Sequence, residues 1–329
     1  MKIAVVVLNW NGKHLLEKFL PSLVKYSPQA SLYLVDNAST DTSVEYVKNT
    51  FSDVHIVSLP TNGGYARGYN QGLQQIEADV YCLLNSDIEV TENWLIPIQK
   101  LFKNPEIGVV QPKILDYKDK NHFEYAGAAG GFIDKYGFPF CRGRIFDVVE
   151  QDLGQYDTEM DVFWASGACF FIRSDVFKQM NGFDEDFFAH QEEIDLCWRI
   201  HRFGKRIVYT PQSKVFHVGA ATLPTDNPKK TYLNFRNGLF MLLKNLPQKR
   251  KYRILFLRML LDGIAGGRFL FQGKISFTWA IFKAHMSFYR YFFKFKNKRK
   301  GTDFLLYYEV ESIVWEYFIK NKRTFNKLK

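Results

Sequence analysis

The chain has 329 residues, is 47% hydrophobic and 24% charged, and so has enough apolar material for a large core, which excludes a disordered protein. Its formal charge of +10 is uneven: residues 1–228 hold 21 Lys and Arg against 29 Asp and Glu, or −8, and residues 229–329 hold 23 against 5, or +18. An acidic first two-thirds and a basic last third point to one large domain with an appendage.

The apolar run Ile3 to Leu8 is too short for a signal-peptide core and leads straight into Asn9-Trp10-Asn11-Gly12, so it reads as a buried first strand. Over the first 110 residues, strand-like KIAVVVLN, SLYLVDN, VHIVSL, DVYCLLN and IGVVQPKI alternate with helix-like HLLEKFLPSLVKY, SVEYVKNTF, YNQGLQQIE and WLIPIQKLF. That rhythm predicts a mostly parallel, Rossmann-like α/β sheet flanked by helices. In such sheets ligands bind beyond the carboxyl ends of the strands. Polar clusters stand at those ends: Asn9 to Gly12, Asp36 to Asp41, Asn62 to Asn70 and Asn85 to Asp87.

Residues 120–160 are rich in Gly and aromatics and predict hairpins or a flap. FWASGACFFIR then reads as a strand and GFDEDFFAH as a loop. EEIDLCWRIHRFG reads as a helix closed by Gly204, with Leu196, Ile200 and Phe203 as its buried stripe. RIVYTPQSKVFHVGA reads as a strand and its exit. From Thr231 onward the pattern turns helical and basic, which places a domain boundary near residue 228. Cys82, Cys141, Cys169 and Cys197 lack metal-ligand spacing and read as reduced thiols of a cytoplasmic protein.

Asn85-Ser86-Asp87 ends a run that must be buried. A carboxylate there can hold a hard cation that bridges a diphosphate, although a turn or helix cap accounts for the tripeptide equally well. Glu192, Glu193 and Asp195 open an amphipathic helix. Complementing the helix dipole is the ordinary role for such acids, worth about 0.3–1 kcal/mol each. The acidic, aromatic loop before them and their mutual repulsion predict at least one raised carboxyl pKa, which suits a general base. His217 also ends a strand, where a structural histidine is the commoner case. Asn62-Gly63-Gly64 and Asn70-Gly72 free the backbone around a helix start that can meet a phosphate. No Gly-Lys-Ser/Thr follows, so this is not a Walker loop.

Taken in order, VVVLNWNG, VDNASTD, NGGYARGYNQG, LLNSD, WASGACFFIR, GFDEDFFAHQEEIDLCWR and VFHVGAAT resemble the motifs of family 2 glycosyltransferases with the GT-A fold, in particular the rhamnosyltransferase-like branch. The resemblance covers about residues 1–225. It implies that Leu8, Asp36, Asn37 and Arg67 line the nucleotide pocket, with Asn9, Asn62, Asn70, Asn85 and Ser86 in the same donor-binding motifs. Asp87 matches the last acid of the DxD motif and His217 the histidine that completes the shell of Mg²⁺ or Mn²⁺. Asn85 replaces the first acid of that motif, which leaves Asp87 as the main charged ligand. Ser166 and Gly167 match the stretch beneath the transferred sugar. Glu192-Glu193 matches the family's acidic pair, with Asp195 beside it as a third catalytic candidate. Glu stands where Asp is usual, so either member can reach; Glu193 is the candidate base. The implied reaction is an inverting transfer from a nucleotide-diphosphate sugar to a hydroxyl of a glycan or lipid-linked acceptor, in surface polysaccharide synthesis.

Two other classes share some of these features. A nucleotidyltransferase would carry a Gly-rich basic signature near the first strand, which LNWNGKHLLEKF lacks. A nucleic-acid or interaction protein would use the +18 tail, but the −8 region would repel a phosphate backbone and no nucleic-acid module is present. The tail interleaves Phe, Tyr and Leu with Arg and Lys, as in ILFLRMLLDG and HMSFYRYFFKFKNKRK. That pattern suits a helix lying on an anionic membrane, and a helical bundle with a basic outer face gives the same pattern. No stretch reaches the roughly 18 uninterrupted apolar residues of a membrane span. The expected location is therefore peripheral, on the cytoplasmic face.

Overall fold

The computed structural model describes residues 1–219 and 227–328. The first half winds β1 (Ile3–Asn9), α1 (Lys13–Tyr26), β2 (Ala30–Asp36), α2 (Ser43–Thr50), β3 (Val54–Ser58), α3 (Gly64–Leu73), β4 (Val80–Asn85), β5 (Ile88–Val90), α4 (Leu95–Leu101) and β6 (Ile107–Asp116). β1 runs parallel between β2 and β4, with Leu8 opposite both Val35 and Asn85. β3 extends the sheet beyond β2, also parallel. The strand ends that carry Asn9, Asp36 and Asn85 therefore share one edge. β1 and β4 are buried along nearly their whole length, as expected of strands covered on both faces.

The Gly- and aromatic-rich stretch forms a small antiparallel sheet of β7 (Gly131–Ile133), β8 (Pro139–Cys141), β9 (Arg144–Ile145) and β10 (Val148–Val149). The chain returns to the main sheet through β11 (Met160–Asp161), β12 (Cys169–Arg173), α5 (Ser174–Gln179), α6 (Glu192–Arg202) and β13 (Arg206–His217). β12 inserts antiparallel between β4 and β6, so the sheet is mixed. β13 runs parallel to β6, and its far end pairs antiparallel with β5, setting His217 opposite Ile88. Asp87 lies in the tight turn between β4 and β5, and its carbonyl accepts the Val218 N–H.

Three local expectations change. The helix read from Tyr69 starts at Gly64, because the Asn62 side chain accepts the Gly64 N–H at 2.9 Å and turns the chain in early. Of FWASGACFFIR only Cys169–Arg173 is strand, since Ser166 to Cys169 closes a turn. Leu196 and Ile200 are buried, but Phe203 is 45% exposed. It sits at the C-cap, where Gly204 at φ +79° bends the chain away.

Past residue 228 the chain is helical: α7 (Pro228–Asn245), α8 (Lys251–Phe271), α9 (Ile275–Lys296) and α10 (Ile313–Phe318). α7 starts on an Asn227 cap with Pro228 at N1. Its Leu239 to Leu243 are almost wholly buried in the same apolar cluster as the sheet face under α6. The last residues return to the small sheet, where Phe325 packs among Phe132, Phe140 and Tyr156.

The join between sheet and helices is ionic as well as apolar. Lys244 of α7, 5% exposed, lies 2.7 Å from Asp184 and 2.9 Å from Asp195. Burial pushes the Asp195 carboxyl up, but Lys244 and Arg199 outweigh it and hold it at about 2. Removing one partner of a buried pair costs about 3–5 kcal/mol, so Lys244→Met is expected to lower the thermal midpoint at pH 7 strongly. A carboxylate held below its ordinary 3.8 stabilises at neutral pH, and that contribution fades as pH falls from about 4 towards 2. The variant's deficit should shrink across that window; a deficit constant down to pH 2 would assign the loss to packing instead.

Candidate active site

The polar edge of the sheet is built by side chains that hold one another. Asn9 Nδ2 donates to Ser43 Oγ at 2.9 Å and Ser39 Oγ at 3.1 Å, and lies 3.3 Å from Asp36 Oδ1. The other Asp36 oxygen accepts the Ser39 N–H. Asn37 accepts the Gly63 N–H through Oδ1 and donates through Nδ2 to Asn62 Oδ1, fixing the loop before α3. Helix α3 lies so close that a Cβ on Gly68 would come 2.9 Å from Leu8 and 3.1 Å from Asn37 Nδ2. Arg67 projects half-exposed at the rim, 3.9 Å from Glu185. Asn70 belongs elsewhere: both ends of its amide are taken by the Phe183 backbone, and Nδ2 also reaches Glu185. It fastens that loop to α3 rather than facing the edge.

At the turn after β4, Asp87 Oδ1 lies 3.1 Å from His217 Nε2, and His217 Nδ1 lies 3.2 Å from Glu124 Oε1; all three are buried. Burial alone would depress the imidazole, yet Glu124 and Asp87 overcome it and raise His217 to about 10. Asn85 Nδ2 stands 3.5 Å from the same Nε2. Ser86 completes the turn, near Gly12. Among the described residues no three His, Cys, Asp or Glu side chains form a cage for a metal. The donor set still fits a divalent ion of the kind that takes one or two protein ligands and completes its shell with phosphate and water. Asp87 and His217 Nε2 converge, and the Glu124 carboxylate approaches Nδ1 on the other side of the ring at 3.2 Å. The buried negative charge of Asp87 and Glu124 calls for a cation here, a demand the His217 proton otherwise meets. Glu124 escaped sequence reading because it sits in an irregular segment with no spacing signal. The Ala220 to Thr222 end of the VFHVGAAT motif lies outside the described residues.

The acidic pair opens α6 behind a loop in left-handed conformation: Phe188, His190 and Gln191 have φ of 66°, 69° and 72°. Glu192 is 4% exposed, while Glu193 keeps partial access to solvent. One carboxylate oxygen of each has no hydrogen-bond partner among the described residues. Burial raises both: Glu193 to about 7, and Glu192, with the neighbouring Glu193 charge adding to its burial, well above its ordinary value. A Cβ on Gly167 would stand 3.9 Å from the Glu193 carboxyl carbon and 3.1 Å from the Tyr65 hydroxyl, which donates to the Gly167 carbonyl at 2.7 Å. Ser166 is held beneath by Gln111 and by the Ala168 N–H. The structure thus brings Glu193, Gly167 and Ser166 together and adds Tyr65, which lay unremarked inside NGGYARGYNQG. His190 lines the same loop, its imidazole held by burial at about 4 and so neutral at pH 7. Asp195, grouped with the pair in the sequence, is fully buried and committed to Lys244, Arg199 and Asn245. It supports the helix instead of facing the pair.

A cavity of about 450 Å³ lies between α6, α7 and the segment after α9, lined by Arg199, Arg202, Lys244, Lys298 and Arg299. Its cations are already engaged with Asp184, Asp186, Asp195, Asp303 and backbone carbonyls. The exception is Lys300, an exposed lining residue whose ammonium has no such partner among the described residues, so one free cation remains there and the cavity is mainly structural.

The chain resembles known proteins both in sequence and in fold. The family model described as Glycosyl transferase family 2 matches residues 4–180. A low-salt glycan biosynthesis hexosyltransferase, Agl10 of Haloferax volcanii, is 24% identical over 287 residues, 84% of this chain and 87% of the relative. The N-acetylglucosaminyl-diphospho-decaprenol L-rhamnosyltransferase of Mycobacterium tuberculosis is 26% identical over 244 residues, covering 68% and 78%. Among solved structures, GalNAc-T7 with UDP, GalNAc and Mn²⁺ superposes with a TM-score of 0.59 at 17% identity. That match takes in 75% of this chain and about half of the solved one. The fold is the mixed, mostly parallel sheet with flanking helices of the GT-A type.

Proposed function

The chain belongs to glycosyl transferase family 2 and moves a sugar from a nucleotide sugar, and from that premise we propose an inverting, rhamnosyltransferase-like transfer in which Glu193 is the general base. The observation that carries this reading is the partly accessible Glu193, raised to about 7 by burial, beside Gly167. Glu192, buried beside it, is raised as well, so the two carboxyls resist ionising together and the pair can present one carboxylate to an acceptor.

In the proposed reaction Glu193 takes the proton of an acceptor hydroxyl as its oxygen attacks the anomeric carbon. The bond to the diphosphate breaks on the opposite face, and the carbon inverts through an oxocarbenium-like transition state, as in glycosidases. Asn9, Asp36, Asn37, Asn62 and Arg67 hold the nucleoside end, and Ser166 and Gly167 lie under the sugar. Asp87 and His217 would hold Mg²⁺ or Mn²⁺, which neutralises charge on the departing diphosphate. Donor candidates are deoxythymidine-linked rhamnose and uridine-linked sugars. A lipid-linked or growing surface glycan is proposed as acceptor, supported by the mycobacterial relative named for rhamnosyl transfer to a decaprenol-linked sugar. Catalysis is assigned to residues 1–228. Residues 229–329 are assigned to support of the acidic loop and to peripheral contact with a membrane's cytoplasmic face.

Two measurements test the assignment. Asp87→Ala should abolish Mn²⁺-dependent binding of a nucleotide diphosphate in calorimetry while the chain stays folded by circular dichroism; metal-dependent affinity equal to the parent's refutes the metal role. Glu193→Gln should lower kcat by about 10²–10⁴-fold with donor affinity little changed, the range of a lost general base. In the parent, kcat/KM should rise with pH through about 7, as the carboxyl must lose its proton to act. A parent profile flat from pH 5 to 9, or the catalytic loss appearing in Glu192→Gln instead, overturns the choice of Glu193.

A further inference from the structure

α8 and α9 form a hairpin, turned at Gly273 with φ +72° and zipped by Phe269 against Phe277 and Tyr252 against Phe292. One face of each helix is buried, α9 through Phe277, Ile281, Ala284 and Phe288. The opposite faces are apolar too. On α8, Tyr252, Phe256, Leu260 and Ile264 recur every fourth residue and all are more than half exposed. On α9, Ile275, Trp279, Phe282, Met286, Tyr289 and Phe293 form a second exposed stripe of helical period. At the tip Phe271 is 93% exposed. A soluble protein seldom leaves so many large apolar side chains uncovered in continuous rows.

The charges around these rows choose the occupant. Between Lys249 and Lys300 stand fourteen Lys and Arg and one acid, Asp262, which is fully buried against Arg258 and His285. The exposed surface of the hairpin therefore carries no carboxylate at all. A second copy brought face to face would set cation against cation, whereas an anionic lipid surface satisfies both rings and cations. Lys283 already lies over the Trp279 ring at 5.7 Å, and Trp279 stacks on Phe282 at 5.0 Å. That places a charged head beside rings able to bury at the headgroup boundary. No helix among the described residues is long and apolar enough to cross a membrane.

We propose that the exposed face of the α8–α9 hairpin is a docking surface for an anionic bilayer, entered by its aromatic stripe and tip. The other side of α9 reaches the loop that leads to the acidic pair, through Lys294 and Lys298 on Asp186 and through Phe295 on Phe187. One helix, about 10–12 Å across, then separates the lipid headgroups from that loop. The docking surface stands on the hairpin alone; its use for a lipid-linked acceptor rests on the activity proposed above.

The full chain is tested by sedimentation with vesicles of phosphatidylcholine alone or with 30% phosphatidylglycerol, at about 0.1 M and 1 M salt. Binding to the anionic vesicles is expected, with partial release at high salt, because screening weakens the cations and leaves ring burial intact. The triple variant Phe256→Glu, Ile264→Glu, Trp279→Glu should bind at least tenfold less while its nucleotide affinity and thermal midpoint match the parent's. Trp279 emission should shift to the blue on anionic vesicles. Failure of the parent to bind them, equal binding by the variant, or a parent dimer in solution that the variant abolishes would overturn the proposal. Vesicle binding without nucleotide-sugar binding would leave the docking surface standing and sink the proposed activity.

Discussion

A single side-chain amide holds the segment on which the acidic site depends. Asn237, wholly buried in α7, donates through Nδ2 towards the carbonyls of Phe187, Ala189 and His190 at 3.0, 2.8 and 2.7 Å. Those carbonyls belong to a loop in which three side-chain-bearing residues adopt positive φ, a conformation that costs about 1–3 kcal/mol per residue and persists only when the surroundings over-determine it. Arg236 adds bonds to the Asp186 and Phe187 carbonyls, and Lys244 and Lys298 bind Asp184. The left-handed exit at Gln191 then sets the direction in which α6 starts, and with it the aim of Glu192 and Glu193. Helix α7 is thus part of the acidic site's construction.

The first turn of α6 shows how environment separates like groups. Glu193 and Asp195 are two residues apart, yet one carboxyl is raised to about 7 and the other lowered to about 2. Desolvation pushes both carboxyls up. What differs is the partner: Asp195 meets Lys244, Arg199 and Asn245, and Glu193 meets no cation. A helix turns about 100° per residue, so neighbouring acids face different elements and acquire opposite character. A sequence can therefore flag the cluster without dividing it into a proton acceptor and a structural anion.

What the sequence made legible were features carried by local period and by strand ends. Alternating apolar runs marked β1 to β4 and β6, though not the three-residue β5, and polar residues after those runs marked the shared edge of Asn9, Asp36 and Asn85. The pairing of Asp87 with His217 came from motif matching, and the β5–β13 ladder supplies its physical basis. Glu124, Tyr65 and Asn237 were not legible in role, because each acts through partners 90, 100 or 50 residues away along the chain. No periodicity encodes such meetings. Asn70 likewise lies within α3, and only the approach of Phe183 reveals that its amide is fully used.

The basic excess of the last third divides into two populations with different physics. Lys244, Lys294 and Lys298 face inward or across to the acidic loop, where Asp184 and Asp186 meet them, while Arg299 pairs with Asp303 and ties down the Lys244 and Leu246 carbonyls. These charges neutralise part of the −8 of the first 228 residues and so belong to folding. Arg253, Lys283, Arg290 and Lys296 stand on exposed positions of the hairpin with no acid in their own segment to meet. Net charge alone could not separate the two, since both raise the isoelectric point equally. The separation follows from α9, whose one side carries the cations of the acidic loop and whose other carries uncovered rings, so that one helix joins the support of the site to the surface it presents outward.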